Sequence, residues 1–355
     1  MELTIFDTDF NAIDTLDTFE SLILKERYNK YGDFEIYMRI NSKALKMLAI
    51  DNYLYLKEAD TYMIIEDIQI KTDPEEGNKL IITGRSLESI LDRRIVWAQT
   101  ILTGNLQEGV RTLLLENIIS STDTSRNIPN FIFEYSVDPN VTSLVLDAQF
   151  TGDSLYDAVE AICTAYNLGF KIRLNDSNQF VFSLYLGANK SYSQLANPYV
   201  IFSPDFNNLA NSSYLYSKKS LKTTTLVAGE GEGADRITLE VISDDTATSL
   251  DRREVFTDAR DVSSITSEGT LPLAEYEALL EQRGLQKLNE QTFIESFDGQ
   301  IEDTSSVFSY RVDYSLGDIV QIENEYNMVT SVRVNEIIQS QSASGIRIYP
   351  TLGSI

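Results

Sequence analysis

Asn52-Tyr53-Leu54-Tyr55-Leu56, Tyr62-Met63-Ile64-Ile65 and Lys79-Leu80-Ile81-Ile82-Thr83 are three apolar runs in close succession. The same order of three returns near the other end of the chain. It reads Asp318-Ile319-Val320-Gln321-Ile322, Asn327-Met328-Val329-Thr330 and Gly345-Ile346-Arg347-Ile348-Tyr349, with similar spacing of the run starts. Short runs rich in β-branched and aromatic residues read as strands. Short connectors between them make an antiparallel meander closing into a barrel or sandwich. Two readings fit the echo: any two β-meanders share such spacing, or two related β-domains flank an insertion.

Working outward, the first hundred residues are predominantly β. Phe34, Ile36, Met38 and Ile40 alternate with polar partners, the period of a half-buried strand. Lys57-Glu58-Ala59-Asp60 and Asp73-Pro74-Glu75-Glu76-Gly77-Asn78 supply turn chemistry. Short helices are expected from Ser42 to Ala49 and from Ser86 to Arg93. After residue 100 the period changes. Val110, Leu113, Leu114 and Ile118 fall at helical spacing, as do Leu155, Ala158, Val159, Ile162 and Tyr166. Ser154 with Asp157 has the form of a capping box, and Gly169 stands where that helix would stop. Phe170 to Leu174 and Phe180 to Leu186 flank Asn175-Asp176-Ser177-Asn178, a hairpin signal. Ser191 to Ser213, rich in Asn, Ser and Pro, reads as loop.

The last region is β with one long helix. Strands are expected at Thr223 to Val227, Arg236 to Ile242, Arg253 to Thr257 and Thr292 to Phe297. Others are expected at Asp318 to Ile322, Met328 to Ile338 and Gly345 to Tyr349. Pro272 suits the first position of a helix that carries Leu273, Tyr276 and Leu280 on one face and runs to about Asn289. The expected fold class is α+β, mostly β. A β-barrel-like domain covers 1–99, an α+β insertion 100–212, and a second β-barrel-like domain with the long helix 213–355.

Composition excludes much. The 355 residues suit two to three domains at roughly 150 residues each. With 43% hydrophobic residues the chain is globular rather than an acidic disordered segment. There is no histidine, so no Ser-His-Asp triad, Cys-His dyad or His-ligated zinc site exists. One cysteine excludes a disulfide framework. A net charge of −25 opposes wrapping of nucleic acid by a basic surface. No basic, apolar leader opens the chain, and no run approaches the roughly 20 apolar residues of a membrane span.

Local motifs weigh little. Gly229-Glu230-Gly231-Glu232-Gly233 is followed by a strand rather than a helix, so it reads as a hairpin turn and not a phosphate loop. Asp7-Thr8-Asp9-Phe10-Asn11 begins like a calcium loop, but Ala12 and Thr18 stand where glycine and glutamate are required. Cys163 lacks a base and reads as a small core residue. Tyr53, Tyr55 and Tyr62 read as strand residues engaged in core packing or cross-strand pairs rather than a sugar platform. The 54 acids nominate no catalytic carboxylate pair. No catalytic residue, cofactor or metal is expected.

The residues carry a resemblance. Ile5-Phe6-Asp7-Thr8-Asp9-Phe10, Tyr28-Asn29-Lys30-Tyr31-Gly32-Asp33-Phe34-Glu35-Ile36 and Asn52-Tyr53-Leu54-Tyr55-Leu56 lead to Gly84-Arg85-Ser86-Leu87-Glu88-Ser89-Ile90-Leu91-Asp92-Arg93-Arg94, the most specific stretch. Tyr314-Ser315-Leu316-Gly317-Asp318-Ile319-Val320 and Gly345-Ile346-Arg347-Ile348-Tyr349-Pro350 complete it. Together these resemble the siphophage tail hub proteins, the family that includes the N-terminal module of tail-associated lysins. The resemblance implies a fold like the baseplate hub of contractile-tailed phages. Gly84, Arg85, Ser86, Asp92, Arg93, Arg94, Gly317 and Asp318 would be its structural motif residues. It implies a homotrimer in which each chain gives two tube domains. That trimer would close the tail channel of a siphovirus or prophage tail tip and open for DNA ejection. Its implied neighbours are the distal tail protein ring, the tape-measure protein, receptor-binding or fibre proteins and the host cell envelope. No membrane insertion by this chain is expected. The implied location is the virion tail tip, after synthesis in the bacterial host cytoplasm. Tail-associated lysins carry a lytic region after the hub module, whereas this sequence stops at Ile355, so lytic activity is not expected. The alternatives are a cell-wall-degrading tail enzyme and a receptor- or glycan-binding tail protein. In a trimer the acidic charge would partly line the channel, so that DNA is a passenger that slides rather than sticks.

Overall fold

The computed structural model describes all residues except 74–76, 267–268, 302–306, 327 and 354, and side chains outside 210–212 and 296–301. The first region holds β1 (Leu3–Phe6), β2 (Ala12–Leu16), β3 (Ser21–Arg27), β4 (Asp33–Arg39), the short helix α1 (Ser42–Met47), β5 (Tyr53–Leu56), β6 (Thr61–Asp73) and β7 (Gly77–Ser86). Alternation does the work. Phe34, Ile36 and Met38 on β4 point inward and join Ile5, Leu22, Leu54, Leu80 and Ile82 in one core. Each such burial contributes about 1.5–3 kcal/mol. Ile40, expected on the same face, is only partly buried. α1 stops short of the expected Ala49; Asn41 caps it, its Oδ1 accepting the Ala44 N–H at 2.8 Å. The strand order is β2–β1–β5–β6–β7–β4–β3, all antiparallel, so β4 reaches past its sequence neighbours to pair with β7. Part of the expected turn between β6 and β7, residues 74–76, lies outside the described residues.

The chain passes from β7 into the insertion through a 3₁₀ helix, Leu87–Arg93, where a short helix is expected from Ser86 to Arg93. It continues through β8 (Thr100–Asn105), α2 (Leu106–Leu114), β9 (Phe131–Glu134), α3 (Pro139–Thr142), β10 (Val145–Phe150), α4 (Leu155–Ala165), β11 (Gly169–Leu174) and β12 (Phe180–Tyr185). β10 pairs with β8, and β11–β12–β9 form a second small sheet. The helical stripes Val110, Leu113, Leu114, Ile118 and Leu155, Val159, Ile162 bury against Phe170 and Phe182. Cys163 is fully buried among them, and burial pushes its thiol up. The capping box does not form: Ser154 caps α4 without a side-chain bond, and its Oγ reaches Asp92 Oδ1 at 3.3 Å instead. α4 ends before Asn167, which takes the left-handed conformation, and Gly169 opens β11 rather than stopping the helix.

Strands stand ahead of the last region where loop is expected. β13 (Ile201–Phe202) and β14 (Leu209–Ser217) occupy the stretch expected as loop, and β14 runs across the expected boundary at 212/213. An excursion follows: β15 (Thr224–Ala228), β16 (Thr238–Ile242), β17 (Glu254–Asp258), β18 (Ile265–Thr266), β19 (Gly269–Thr270) and α5 (Leu273–Glu290). The sheet β16–β15–β17 packs on α5 through Val227, Val241, Tyr276, Leu280 and Leu288. Pro272 is the cap rather than the first helical residue, and Leu273 is exposed, so the buried face begins at Tyr276. The glycine run Gly229 to Gly233 joins β15 to β16 as a turn, with Gly231 and Gly233 at positive φ. The chain then returns through β20 (Ile294–Ile301), β21 (Ile319–Glu323), β22 (Val329–Ser342) and β23 (Gly345–Gly353).

The echo in the sequence is a repeat in the fold. β5–β6–β7 and β21–β22–β23 are both antiparallel triplets with a long middle strand. Both middle strands carry a β-bulge against the third strand, at Ile65/Asp67 and at Val334/Glu336. The likeness extends outward. β7 is followed laterally by β4 and then β3; β23 lies against β20, which pairs with β14. The two regions share one sheet, because β3 pairs antiparallel with β22 from Ser21↔Ser342 to Arg27↔Glu336. The described ladder stays open, with β2 and β13 at its ends.

Candidate assembly junction

Gly84 to Arg94 carry the chain from the first sheet into the insertion. Gly84 sits on β7 between β4 and β6, paired with Phe34 and Ile65. A Cβ there would lie 1.8 Å from the Ile64 carbonyl oxygen, so only glycine lets the strands approach at the bulge. Arg85 makes a bidentate pair with Glu66, Nε to Oε2 at 2.7 Å and Nη2 to Oε1 at 2.8 Å. Its Nη1 reaches Asp92 Oδ2 at 3.1 Å, and its guanidinium lies 5.0 Å from the centre of the Tyr31 ring. Ser86 is buried and its Oγ accepts the Gly32 N–H at 2.7 Å. Leu87, Ile90 and Leu91 then enter the core of the insertion. Arg93 lies 3.6 Å from Asp51. Arg94 donates to the Arg126 carbonyl at 2.9 Å, and its own carbonyl accepts the Leu155 N–H at the start of α4.

Gly317 and Asp318 form a second cluster. Gly317 has φ +90°, and a Cβ there would meet the Tyr28 ring at 2.2 Å. A Cβ at Gly187 would likewise lie 2.0 Å from the Gly317 carbonyl carbon and oxygen. Asp318 is buried with three donors on its carboxylate. These are Ala188 N–H at 2.7 Å, Ser315 N–H at 2.8 Å and Lys190 Nζ at 3.0 Å. Arg333, also buried, donates to the Gly317 carbonyl at 2.9 Å and lies 5.1 Å from the centre of the Tyr28 ring.

The turn Tyr28 to Gly32 joins the two clusters. Tyr28 is buried; its hydroxyl donates to the Asn167 carbonyl at 3.0 Å, and burial pushes its pKa up. The Tyr31 N–H donates to the Tyr156 hydroxyl on α4 at 3.2 Å, and Lys30 pairs with Glu160 at 3.1 Å. So a turn of the first β region touches the connector, the insertion and the last region together. Of the motif residues quoted from the sequence, Arg85 and Ser86 meet this turn at Tyr31 and Gly32 and Gly317 meets it at Tyr28, whereas Arg93 and Arg94 pair with Asp51 and the Arg126 carbonyl instead. Tyr28, Gly187, Lys190 and Arg333 were not singled out; the signal available was Tyr28, inside a quoted stretch.

Beside the turn lies a cleft of about 810 Å³, with Glu26 and Glu88 in its wall. Glu26 is buried and accepts from Thr61, Tyr310, Arg311 and Gln339, which ties the two β regions together. Glu88 is buried and accepts the Ile172 N–H at 2.8 Å. Desolvation raises its pKa; the bonds from Ser86 and Ile172 offset this only in part. An acid raised in the folded state adds stability below its ordinary range and loses it as pH rises through the folded value. Glu88→Gln keeps a neutral acceptor for Ile172. Its melting temperature is expected above wild type at neutral pH, with the gap closing as pH falls into the ordinary glutamate range. A pH-independent difference in thermal melts would contradict this.

Among the described residues no group of three or more acidic or cysteine side chains is placed to hold a metal ion. The junction's carboxylates are engaged by protein donors, and its geometry fixes sheets and helices to one another. The siphovirus ReqiPepy6 Gp37-like protein family matches residues 2–354. The chain belongs to that family. It is a siphovirus-type tail protein with a mostly β tail-protein fold. The fold is shared with prophage tail protein gp18 of Listeria monocytogenes EGD-e, at 13% identity and TM-score 0.57 over 100% of this chain and 95% of that one. It is shared with the tail protein of Neisseria meningitidis MC58, at 12% identity and TM-score 0.56 over 99% and 96%. The prophage MuSo2 43 kDa tail protein from Shewanella oneidensis matches at 11% identity and TM-score 0.56 over 100% and 98%. No curated protein matches the chain.

Proposed function

We propose that this tail protein is the hub of the distal tail tip, a homotrimer that closes the tail channel and opens for DNA ejection. The carrying observation is the repeated strand order. One copy presents β5–β6–β7–β4–β3, and β21–β22–β23 with the β20–β14 pair lying against β23; the two are joined where β3 pairs with the middle strand β22. Three copies then offer six similar modules to a tube. The first tube module spans 1–99 and the insertion follows it. The second module covers 213–355 together with β13 and β14, which precede or cross its start, and the excursion from β15 to α5 lies between β14 and β20. Gly84, Arg85, Ser86, Asp92, Arg93 and Arg94 hold the insertion on the first module. Gly317 and Asp318 hold the second module on both. The role is mechanical, without catalysis. The distal tail ring, the tape-measure protein and receptor-binding or fibre proteins are its neighbours at the virion tail tip, and DNA passes through it. A charge of −25 per copy suits a channel that does not grip phosphate. Light scattering on concentrated purified protein is expected to give three times the mass of one chain. A single-chain mass at every concentration would count against the hub.

A further inference from the structure

We infer that Arg94, Ile95, Trp97 and Arg126 form a docking patch on the insertion for an acidic peptide segment of another protein. Its carboxylates would meet the two guanidinium groups, and its apolar side chains the indole and Ile95. This docking is independent of the hub reading. Trp97 is the one tryptophan of the chain and is 71% exposed; Ile95, two residues before it, is 43% exposed. Between them Val96 is fully buried in the core of the insertion. Every residue of the segment is pinned. The Arg94 carbonyl accepts the Leu155 N–H at 2.9 Å, and the Ile95 carbonyl accepts Arg126 Nη2 at 2.7 Å. The Val96 N–H donates to the Asp153 carbonyl at 2.8 Å, and the Trp97 N–H to Asn117 Oδ1 at 3.1 Å. The ring is held as well, with the Arg126 guanidinium 5.2 Å from its centre and Arg126 Nη2 also on Asn117 Oδ1 at 3.1 Å. An exposed aromatic that is already ordered loses little freedom on binding.

The charge of the patch is opposite to that of the chain. With a net charge of −25 around them, Arg85, Arg93 and Arg111 each pair with a carboxylate. Arg94 and Arg126 pair with none among the described residues. Arg94 donates instead to two carbonyls, from Nε to Arg126 at 2.9 Å and from Nη1 to Arg93 at 2.8 Å. Asp123, on the turn that carries Arg126, gives its carboxylate to the Ser125 N–H at 3.0 Å and hydroxyl at 2.7 Å. So Arg94 Nη2 and Arg126 Nε and Nη1 keep donors without a protein acceptor among the described residues. A guanidinium takes a carboxylate by two parallel bonds, and Trp and Arg dominate the binding energy where proteins meet. A phosphate polymer would meet the same cations. The chain's own charge repels a polyanion, however, whereas a short segment with few carboxylates escapes most of that repulsion and gains the apolar surface of Ile95 and Trp97.

The single tryptophan makes the test direct. The fluorescence of Trp97 in the full chain is titrated with a short tryptophan-free peptide of alternating glutamate and leucine, and with its glutamine counterpart. The glutamate peptide is expected to move the emission to shorter wavelength in a saturable way. The glutamine peptide is expected to bind about tenfold more weakly, and so is the glutamate peptide to the double variant Arg94→Gln with Arg126→Gln. Trp97→Ala, read by calorimetry, is expected to lose binding at an unchanged melting temperature, because the ring is exposed. Equal binding of the two peptides, an unmoved emission at millimolar peptide, or tighter binding of a single-stranded oligothymidylate overturns the acidic-peptide assignment. A changed mass of Trp97→Ala in light scattering overturns it too, by making a second copy the occupant.

Discussion

Gly84→Ala is expected to remove folded, soluble protein from expression cultures. The added Cβ would lie 1.8 Å from the Ile64 carbonyl oxygen, 2.9 Å from its carbon and 2.9 Å from Phe34 Cε1. Two of these atoms are backbone, so no rotamer change relieves the contact. Overpacking by side chains costs about 1–3 kcal/mol; here β6 and β7 must separate at the bulge, which also displaces Arg85 from Glu66 and Ser86 from Gly32. The same strand leads directly to Leu87, Ile90 and Leu91, so the insertion loses its anchor with the sheet. Soluble yield and thermal melting decide this, and a wild-type melt for the alanine variant would contradict the account.

Asp318→Ala is expected to destabilise the protein by about 3–5 kcal/mol, the cost of leaving one partner of a buried ion pair behind. Lys190 would keep its charge with only the Asp313 carbonyl near Nζ, and the Ala188 and Ser315 N–H groups would lose their acceptor. Asp318→Asn restores an oxygen but turns an amide NH₂ toward a donor, so it recovers a minority of the loss. Denaturant midpoints for the three proteins should order wild type, Asn, Ala. Equal midpoints for wild type and Ala would show that the junction does not depend on this carboxylate.

Much of the frame was legible in the sequence because burial imposes periodicity. Tyr55 and Tyr62, read as cross-strand residues, face each other in register with ring centres 4.5 Å apart. The echo of three strands was legible for the same reason, since both triplets line a core. Its outer members were not. β14 is an edge strand of Asn, Ser and Tyr held by pairing with β20, and the excursion from β15 to α5 separates the two strands in sequence. No local pattern marks a hairpin split in this way. The capping box failed for a related reason: Ser154 serves the tertiary contact with Asp92 rather than its own helix. The junction was half legible. Gly84 to Arg94 and Gly317-Asp318 stood out as strings, but the turn from Tyr28 to Gly32, which Arg85, Ser86 and Gly317 meet, is set by long-range packing. Glu26 and Glu88 gave no signal, because burial of single acids among 54 has no sequence signature.

In the proposed function three copies form the hub at the distal tail tip. Averaged electron images of intact tails from a phage or prophage encoding this protein, with this chain traced in the density, test it most directly. Such images are expected to show one threefold ring of this chain at the distal end. Tracing the chain to a repeated ring along the tail shaft, or to a monomeric position at the tip, would contradict it.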